Sequence, residues 1–464
     1  MKILLIQQDM GQRSIQYPMY PIGLSYLAAV LTDHDVRIFD PNVYDYPASL
    51  DVLRKEVAVF KPDVAGISIR NVDTTQRKDL YVNFNTAKPT INAVLAVKPD
   101  TKIVAGGTGF SIHAEDIMSI VPEIDYGIYL EGEESFPQLL SNLDTPGKVR
   151  GVFYRKGSEV VFTGQRISPD FEKLPIPRRD PGVIDMARYH GPLHNIVGVQ
   201  SKRGCIYSCS YCTYVFLNQS KLRLRKPSHV ADEIEQLVNE FGIKGFTFVD
   251  SLFNMPESHA REICEEMIRR KIRVTWGAWL TPRGITEDFL LLLREAGCRH
   301  IGYSPDAVTD RGLNVLQKGF TAADLERSIQ LAKKIRGVAF GYGFFCDYPG
   351  MSLRETLRTL YLFFRIPFIL PGRGGVGMGW IRIEPHTKLF DTAVQEGVIS
   401  KDVKMLPSNE EELSKLFYVN RNRRYQTLIF DFILFVVDRA LKPTVKGFFR
   451  LVGRFRGQKA LYDS

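Results

Sequence analysis

The chain is expected to fold as an α/β protein: an N-terminal doubly wound Rossmann-like domain, a partial TIM-type (β/α)6 barrel and a helical C-terminal region. Three observations predict it. Strand-like apolar runs alternate with helix-like amphipathic runs on both sides of a Pro- and Arg-rich stretch, Leu174-Pro-Ile-Pro-Arg-Arg-Asp-Pro181. A length of 464 residues is two to three usual domains, and 44% hydrophobic content can bury a substantial core. Glycines and acids stand at strand ends, where doubly wound sheets and TIM-type barrels keep their ligands. The expected boundaries are 1–145 for the first domain, 146–193 for a linker, 194–400 for the barrel and 401–464 for the C-terminal region.

Met1 to Gln7 reads as a buried strand rather than the long apolar stretch of a signal peptide. Tyr20 to Leu31 has helical periodicity and is opened by Pro21. Further strands are expected at Asp35 to Phe39, Val64 to Ile69, Lys102 to Val104 and Tyr126 to Tyr129. Ala105-Gly-Gly-Thr-Gly-Phe110 follows one of them, and its glycines allow close approach of backbone to a ligand. Leu130-Glu-Gly-Glu-Glu134 stands at the next strand end. No Gly-x-Gly-x-x-Gly follows the first strand, which argues against a nicotinamide or flavin dinucleotide. In the second half, strands are expected at Gly245 to Asp250, Val274 to Ala278, His300 to Ser304 and Val338 to Phe345.

Cys205, Cys209 and Cys212 form a Cys-x3-Cys-x2-Cys cluster. Three thiolates at this spacing can hold three irons of a [4Fe-4S] cube and leave the fourth open. Zinc competes, but a closed zinc site needs a fourth ligand, and the nearest candidates, His194 and His229, form no His-x3-5-His pair. Three merely buried cysteines are the remaining alternative. The other cysteines, Cys264, Cys298 and Cys346, read as packing, and cysteine usage as a whole suits a reducing, cytoplasmic compartment.

Charge is uneven. Residues 421–459 hold ten Lys or Arg against Asp431 and Asp438, which is +8 of the net +9. The apolar run Leu428 to Val437 is half of what a spanning helix needs. Farther on, Phe448, Phe449, Leu451, Val452 and Phe455 alternate with basic residues at helical spacing. That pattern fits peripheral contact at the inner membrane face, or an ordinary helix docked on the barrel. No nucleic-acid module accompanies the basic residues, so nucleic acid is not an expected partner. The stretch Tyr361 to Leu370 is unusually apolar for a surface helix and reads either as barrel core or as a hint of a lipid, isoprenoid or tetrapyrrole substrate.

The cysteine spacing, with Tyr211 before the third cysteine, resembles the radical S-adenosylmethionine (radical SAM) enzymes. The order of the Pro21-Ile-Gly-Leu-Ser-Tyr-Leu-Ala28 helix, the Gly-Gly loop, the Glu-Gly-Glu-Glu segment and the cysteines resembles their cobalamin-binding branch, over about residues 1 to 400. That branch includes hopanoid methylases and the anaerobic cyclase of bacteriochlorophyll synthesis. The resemblance implies that Cys205, Cys209 and Cys212 ligate a [4Fe-4S] cluster whose open iron takes S-adenosylmethionine. It places Tyr211 near the adenine, Asp250 facing the amino group, and Ser304 and Asp306 at the ribose, although Gly302-Tyr-Ser-Pro-Asp306 lacks the family's Glu. It places Gly106, Gly107, Gly109, Gly132 and Glu133 against cobalamin, with Arg70 and Asn71 at a strand end facing the corrin. The Asp-x-His-x-x-Gly motif is absent, so a histidine ligand below the cobalt is not expected. Phe344 to Gly350 and Glu384-Pro-His-Thr-Lys-Leu-Phe390 resemble later barrel segments, with His386 a candidate to face substrate.

The chemistry implied is reductive cleavage of S-adenosylmethionine to a 5'-deoxyadenosyl radical, fed by flavodoxin or ferredoxin, then methylation of an unactivated carbon by methylcobalamin. Relatives with the same cofactors also cyclise or rearrange rings without methyl transfer. A non-catalytic cobalamin or redox sensor is the reading from another functional class.

Overall fold

The computed structural model describes residues 1–11, 19–164, 168–190, 197–218, 221–420 and 424–436. The first sheet contains β1 (Lys2–Ile6), β2 (Asp35–Phe39), β3 (Val64–Ser68), β4 (Lys102–Gly106), β5 (Tyr126–Ile128), β6 (Val152–Lys156) and β7 (Glu159–Phe162). Its order is β2-β1-β3-β4-β5-β6-β7, parallel through β5 and antiparallel beyond. Ile3 to Ile6 are all buried, as expected of a parallel strand covered on both faces. The parallel order 2-1-3-4-5 reverses direction between β1 and β3, which opens a crevice at the carboxyl ends of the strands. The sheet continues through β6 and β7, into residues that the expected boundary at 145 assigns to a linker.

The second sheet begins with β8 (Gly198–Val199). A short antiparallel ladder follows, β9 (Lys202–Arg203) with β10 (Arg223–Leu224), and the sheet resumes with β11 (Gly245–Phe248), β12 (Thr275–Leu280), β13 (Cys298–Asp306), β14 (Ala339–Phe345) and β15 (Gly374–Gly379). All six strands of the sheet are parallel, in the order β8-β11-β12-β13-β14-β15, with β8 and β15 as its two edges. This is a partial (β/α)6 barrel. Helices such as Pro227–Asn239, Glu257–Arg269 and Ala322–Lys334 connect the strands, each with its buried side chains on one face.

The stretch read as a linker is fastened between the domains. Arg179 is fully buried and meets Glu233 at 2.5 Å, and Arg225 meets the other Glu233 oxygen at 2.5 Å and Tyr26 at 3.1 Å. Tyr26 belongs to helix Ile22–Val30 of the first domain, while Arg225 and Glu233 belong to the barrel. Both large apolar clusters also contain residues of both domains. Helix Arg424–Val436 closes the described chain, and no described helix is long and apolar enough to cross a membrane. The basic residues from Arg439 to Lys459 lie outside the described residues.

Candidate functional site

The cysteine loop is the connection between β9 and β10, so an antiparallel ladder holds its two ends together. Gly204 starts it at φ +94°, and a Cβ there would meet the Lys221 carbonyl oxygen at 1.9 Å, so only glycine fits. The loop is tied to the barrel by Ser210 N–H donating to Leu316 O at 3.0 Å and by Leu389 N–H donating to Ser210 O at 2.8 Å. Cys205, Cys209 and Cys212 are half-buried free thiols lining one cavity with an empty volume of about 790 Å³. Among the described residues, no three His, Cys, Asp or Glu side chains are gathered closely enough for a single ion. A four-iron cube is larger than one ion, and three thiols around a shared cavity suit it. Burial pushes all three thiols up, Cys212 to about 11, while the ammonium of Lys318 pulls the other way. As ligands of iron, the three sulfurs would be held as thiolates by the metal's charge.

Tyr211, Asp306 and Lys318 meet beside this loop. Lys318 Nζ lies 2.5 Å from Asp306 and 2.9 Å from the Tyr211 hydroxyl, which itself donates to Asp306. Asp306 has φ +66°, and the β13–β14 register shifts just before it, a bulge that aims the carboxylate inward. Burial raises the Asp306 carboxyl, with Lys318 opposing; burial also works against the Lys318 ammonium, but Asp306 together with Cys209 and Cys212 outweighs it and raises its pKa. The Tyr211 ring stands edge-on to Phe345 at 4.9 Å. Ser304 and Trp279 line the same cavity. Asp250 does not line it: its buried carboxylate accepts from the Ser201 hydroxyl at 2.5 Å and from the N–H groups of Ser201 at 2.8 Å and Lys202 at 3.1 Å. It braces the strand that leads into the cysteine loop.

A larger cavity, with an empty volume of about 1310 Å³, opens between the domains at the carboxyl ends of β1, β3, β4 and β5. Gly106, Gly107, Gly132 and Glu133 line it. Gly107 has φ +101°, and a Cβ there would meet Ile69 O at 2.7 Å. Gly109, Arg70 and Asn71 do not line it. Gly109 packs against the Arg70 carbonyl, where a Cβ would stand 3.0 Å away. Gln8 Oε1 accepts from the Arg70 and Asn71 N–H groups, both at 2.9 Å, and Gln8 Nε2 donates to Asn71 O at 2.7 Å. The Arg70 side chain is exposed and makes no ion pair among the described residues.

Glu133 also ties the interdomain cavity to the start of the cysteine loop. It pairs with Arg203 at 2.6 Å, and Glu131 pairs with Arg203 at 3.1 Å and Arg223 at 2.6 Å. Arg203 immediately precedes Gly204, so the cysteine loop is anchored to the wall of the interdomain cavity. Tyr214 and Ser251 line both cavities, and Tyr214 is 45% exposed because it faces the open space. His386 stacks on Phe216 at 4.1 Å and reaches Ile112 O at 3.3 Å. Cys264, Cys298 and Cys346 are buried, as expected of packing residues. Sequence reasoning missed Lys318, Tyr214, Arg203, Glu131 and Gln8. Lys318-Gly319 was visible only as a pair beyond the strand expected at His300 to Ser304, and Glu131 as the acid next to Gly132.

Comparison with known proteins matches each half of the chain to a family. Residues 12–140 match the B12 binding domain and residues 199–360 the Radical SAM superfamily. The chain is 24% identical to an uncharacterized methyltransferase of Pyrococcus horikoshii, over 97% of this chain and 99% of that one. It is 28% identical to the anaerobic magnesium-protoporphyrin IX monomethyl ester cyclase of Rubrivivax gelatinosus, spanning 72% of this chain and 60% of the cyclase. In fold it is similar to the radical S-adenosylmethionine methyltransferase TsrM of Kitasatospora setae with cobalamin and [4Fe-4S] cluster bound. The TM-score is 0.73 at 21% identity, covering 91% of this chain and 82% of that one. The chain belongs to the cobalamin-binding radical SAM enzymes, the family of cobalamin-dependent methyltransferases and their cyclase relatives. Its cofactors are a [4Fe-4S] cluster, S-adenosylmethionine and cobalamin.

Proposed function

We propose that the enzyme methylates an unactivated carbon of an apolar small molecule held where the two cavities meet. The carrying observation is the shared wall: Tyr214 and Ser251 border both the interdomain cavity and the cysteine-lined one. When bound, the cluster and S-adenosylmethionine supply a carbon radical, and cobalamin supplies the methyl group. The chain's part is placement and exclusion. Cys205, Cys209 and Cys212 hold the irons, and Gly106, Gly107, Gly132 and Glu133 present backbone and one carboxylate to the corrin side. Tyr211, Asp306, Lys318 and Ser304 hold S-adenosylmethionine, with Asp250 acting through the strand it braces. Arg70, Asn71 and Gly109 shape the loop beside the corrin. Leu24, Leu27, Val104 and Phe136 on the interdomain cavity wall keep water out and favour an apolar substrate. Tetrapyrrole and hopanoid substrates are named for relatives. Flavodoxin or ferredoxin would deliver the electron.

Ring closure without methyl transfer is the second reading, favoured by the similarity to the Rubrivivax gelatinosus cyclase. Comparative metabolite and lipid profiling with and without the gene separates the two. A product heavier by one methylene supports methylation, and one lighter by two hydrogens supports cyclisation. Anaerobic reconstitution tests the cofactors: the Cys205→Ala, Cys209→Ala, Cys212→Ala variant should lose the iron-sulfur absorption while keeping cobalamin through gel filtration.

A further inference from the structure

Helix Leu353–Ile369 links β14 to β15 and opens on a capping box made by Ser352 and Glu355. One side is core: Leu360, Leu362 and Ile366 are buried. The other side is apolar and open. Leu353, Leu357, Tyr361, Phe364 and Phe368 are 46%, 57%, 61%, 51% and 85% exposed. Spaced four, four, three and four residues apart, they fall on one stripe, about 22 Å long at the rise of an α-helix. The reading of this stretch as barrel core therefore holds for half of it. Helix Arg424–Val436 repeats the arrangement, with Leu428 and Phe432 67% and 68% exposed. It lies against the start of the first helix: Gln426 Nε2 donates to Met351 O at 3.1 Å, and Phe430 and Leu434 share a core cluster with Leu360.

An apolar surface of this extent on a folded chain marks a contact with something else. Charge decides with what. Arg354 and Arg358 are exposed beside the stripe, and Arg365 pairs with Glu326. Beyond residue 436 the sequence carries seven Lys or Arg against Asp438 and Asp463. Covering the stripe with that segment would bring basic residues onto basic residues, whereas an anionic bilayer complements both. We propose that the exposed faces of helices Leu353–Ile369 and Arg424–Val436 seat this enzyme on an anionic membrane surface, with the aromatic stripe at the headgroup boundary and the arginines among the headgroups. The proposal assigns membrane contact to a barrel helix, Leu353–Ile369, as well as to helix Arg424–Val436. It does not depend on which reaction the enzyme performs.

The test is flotation of the purified full-length protein with vesicles of phosphatidylcholine alone or mixed with phosphatidylglycerol. The full chain should float with the anionic vesicles only, and less at high salt. Phe364→Asp with Phe368→Asp should lower the floated fraction at least about tenfold, with melting temperature and bound iron and cobalamin unchanged. Flotation of that variant equal to the parent would overturn the proposal, as would no binding of the parent to anionic vesicles. So would light scattering that shows a dimer for the parent and a monomer for the variant, which assigns the stripe to a second copy. Protease protection of residues 437–464 in the free parent, lost in the variant, would assign the stripe to that segment instead. Iron and cobalamin contents report the cofactor reading separately.

Discussion

Lys318 is a cation buried among three thiols, and it is tolerated because Asp306 lies 2.5 Å away and Tyr211 shares the same carboxylate. Asp306→Ala leaves that ammonium unpaired, and breaking a buried pair costs about 3–5 kcal/mol. Urea unfolding should show a loss of this size, and the variant should also bind S-adenosylmethionine more weakly. Nothing local announces the arrangement: Lys318 and Tyr211 are 107 residues apart, so Tyr211 was legible from its place beside Cys212, while its partner was not. Glu384 carries a pH dependence. Burial raises its carboxyl from the ordinary 4.5 to about 7, although Arg382 stands 3.9 Å away. The folded state therefore holds a proton that the unfolded chain has released. Its contribution is fully present below pH 4.5 and is lost as pH rises through about 7, by at most about 3 kcal/mol. Glu384→Gln should flatten the decline in melting temperature between pH 5 and pH 8; an unchanged slope would assign the dependence elsewhere.

At the scale of elements, loops that carry ligands depend on glycine where the backbone turns against a neighbour. Gly107→Ala forces a Cβ within 2.7 Å of Ile69 O at φ +101°, and should cost more than about 1 kcal/mol. Cobalamin retained through gel filtration should fall with it, because Gly107 lines the cavity. Gly377 on β15 has nothing within 4 Å of where a Cβ would stand, so Gly377→Ala should be neutral or stabilising by about 0.4–1 kcal/mol in the same unfolding measurement. Strands with both faces covered were legible, because continuous apolar runs bounded by turn residues have few other readings: Asp35–Phe39 matches to the residue. The hairpin of β6 and β7 was missed. Beyond the buried Val152 and Phe153 its residues are part-exposed and mixed in polarity, and its turn signal, Gly157 at φ +64°, is short. The Pro-rich stretch joins the two domains as expected of a linker, but its Arg179 is buried, and nothing nearby in sequence announces this because its carboxylate partner lies 54 residues downstream.

For the whole molecule, the Arg179–Glu233–Arg225 cluster makes the two domains one folding unit. Glu233 is buried without solvent contact, and burial would raise its carboxyl, but the two guanidiniums hold it below the usual value. Its stabilising contribution is therefore present above the unfolded value of 4.5 and is lost as pH falls toward the folded one. Tyr26 on the first domain, Arg179 on the connecting chain and Arg225 on the barrel converge there. Both apolar clusters cross the same boundary, so separating the domains exposes core as well as breaking ion pairs. Thermal unfolding of the cofactor-free chain should accordingly follow one cooperative transition, with van't Hoff and calorimetric enthalpies agreeing. Glu233→Ala leaves two buried guanidiniums facing each other and should cost about 3–5 kcal/mol. It should also weaken cobalamin retention, although Glu233 touches neither cavity, because the interdomain cavity exists only while β4 and β5 face β9. Two resolved transitions in the parent chain, or a Glu233→Ala variant with parental midpoint and cobalamin content, would mean that the domains fold separately and that the cofactors alone set their spacing.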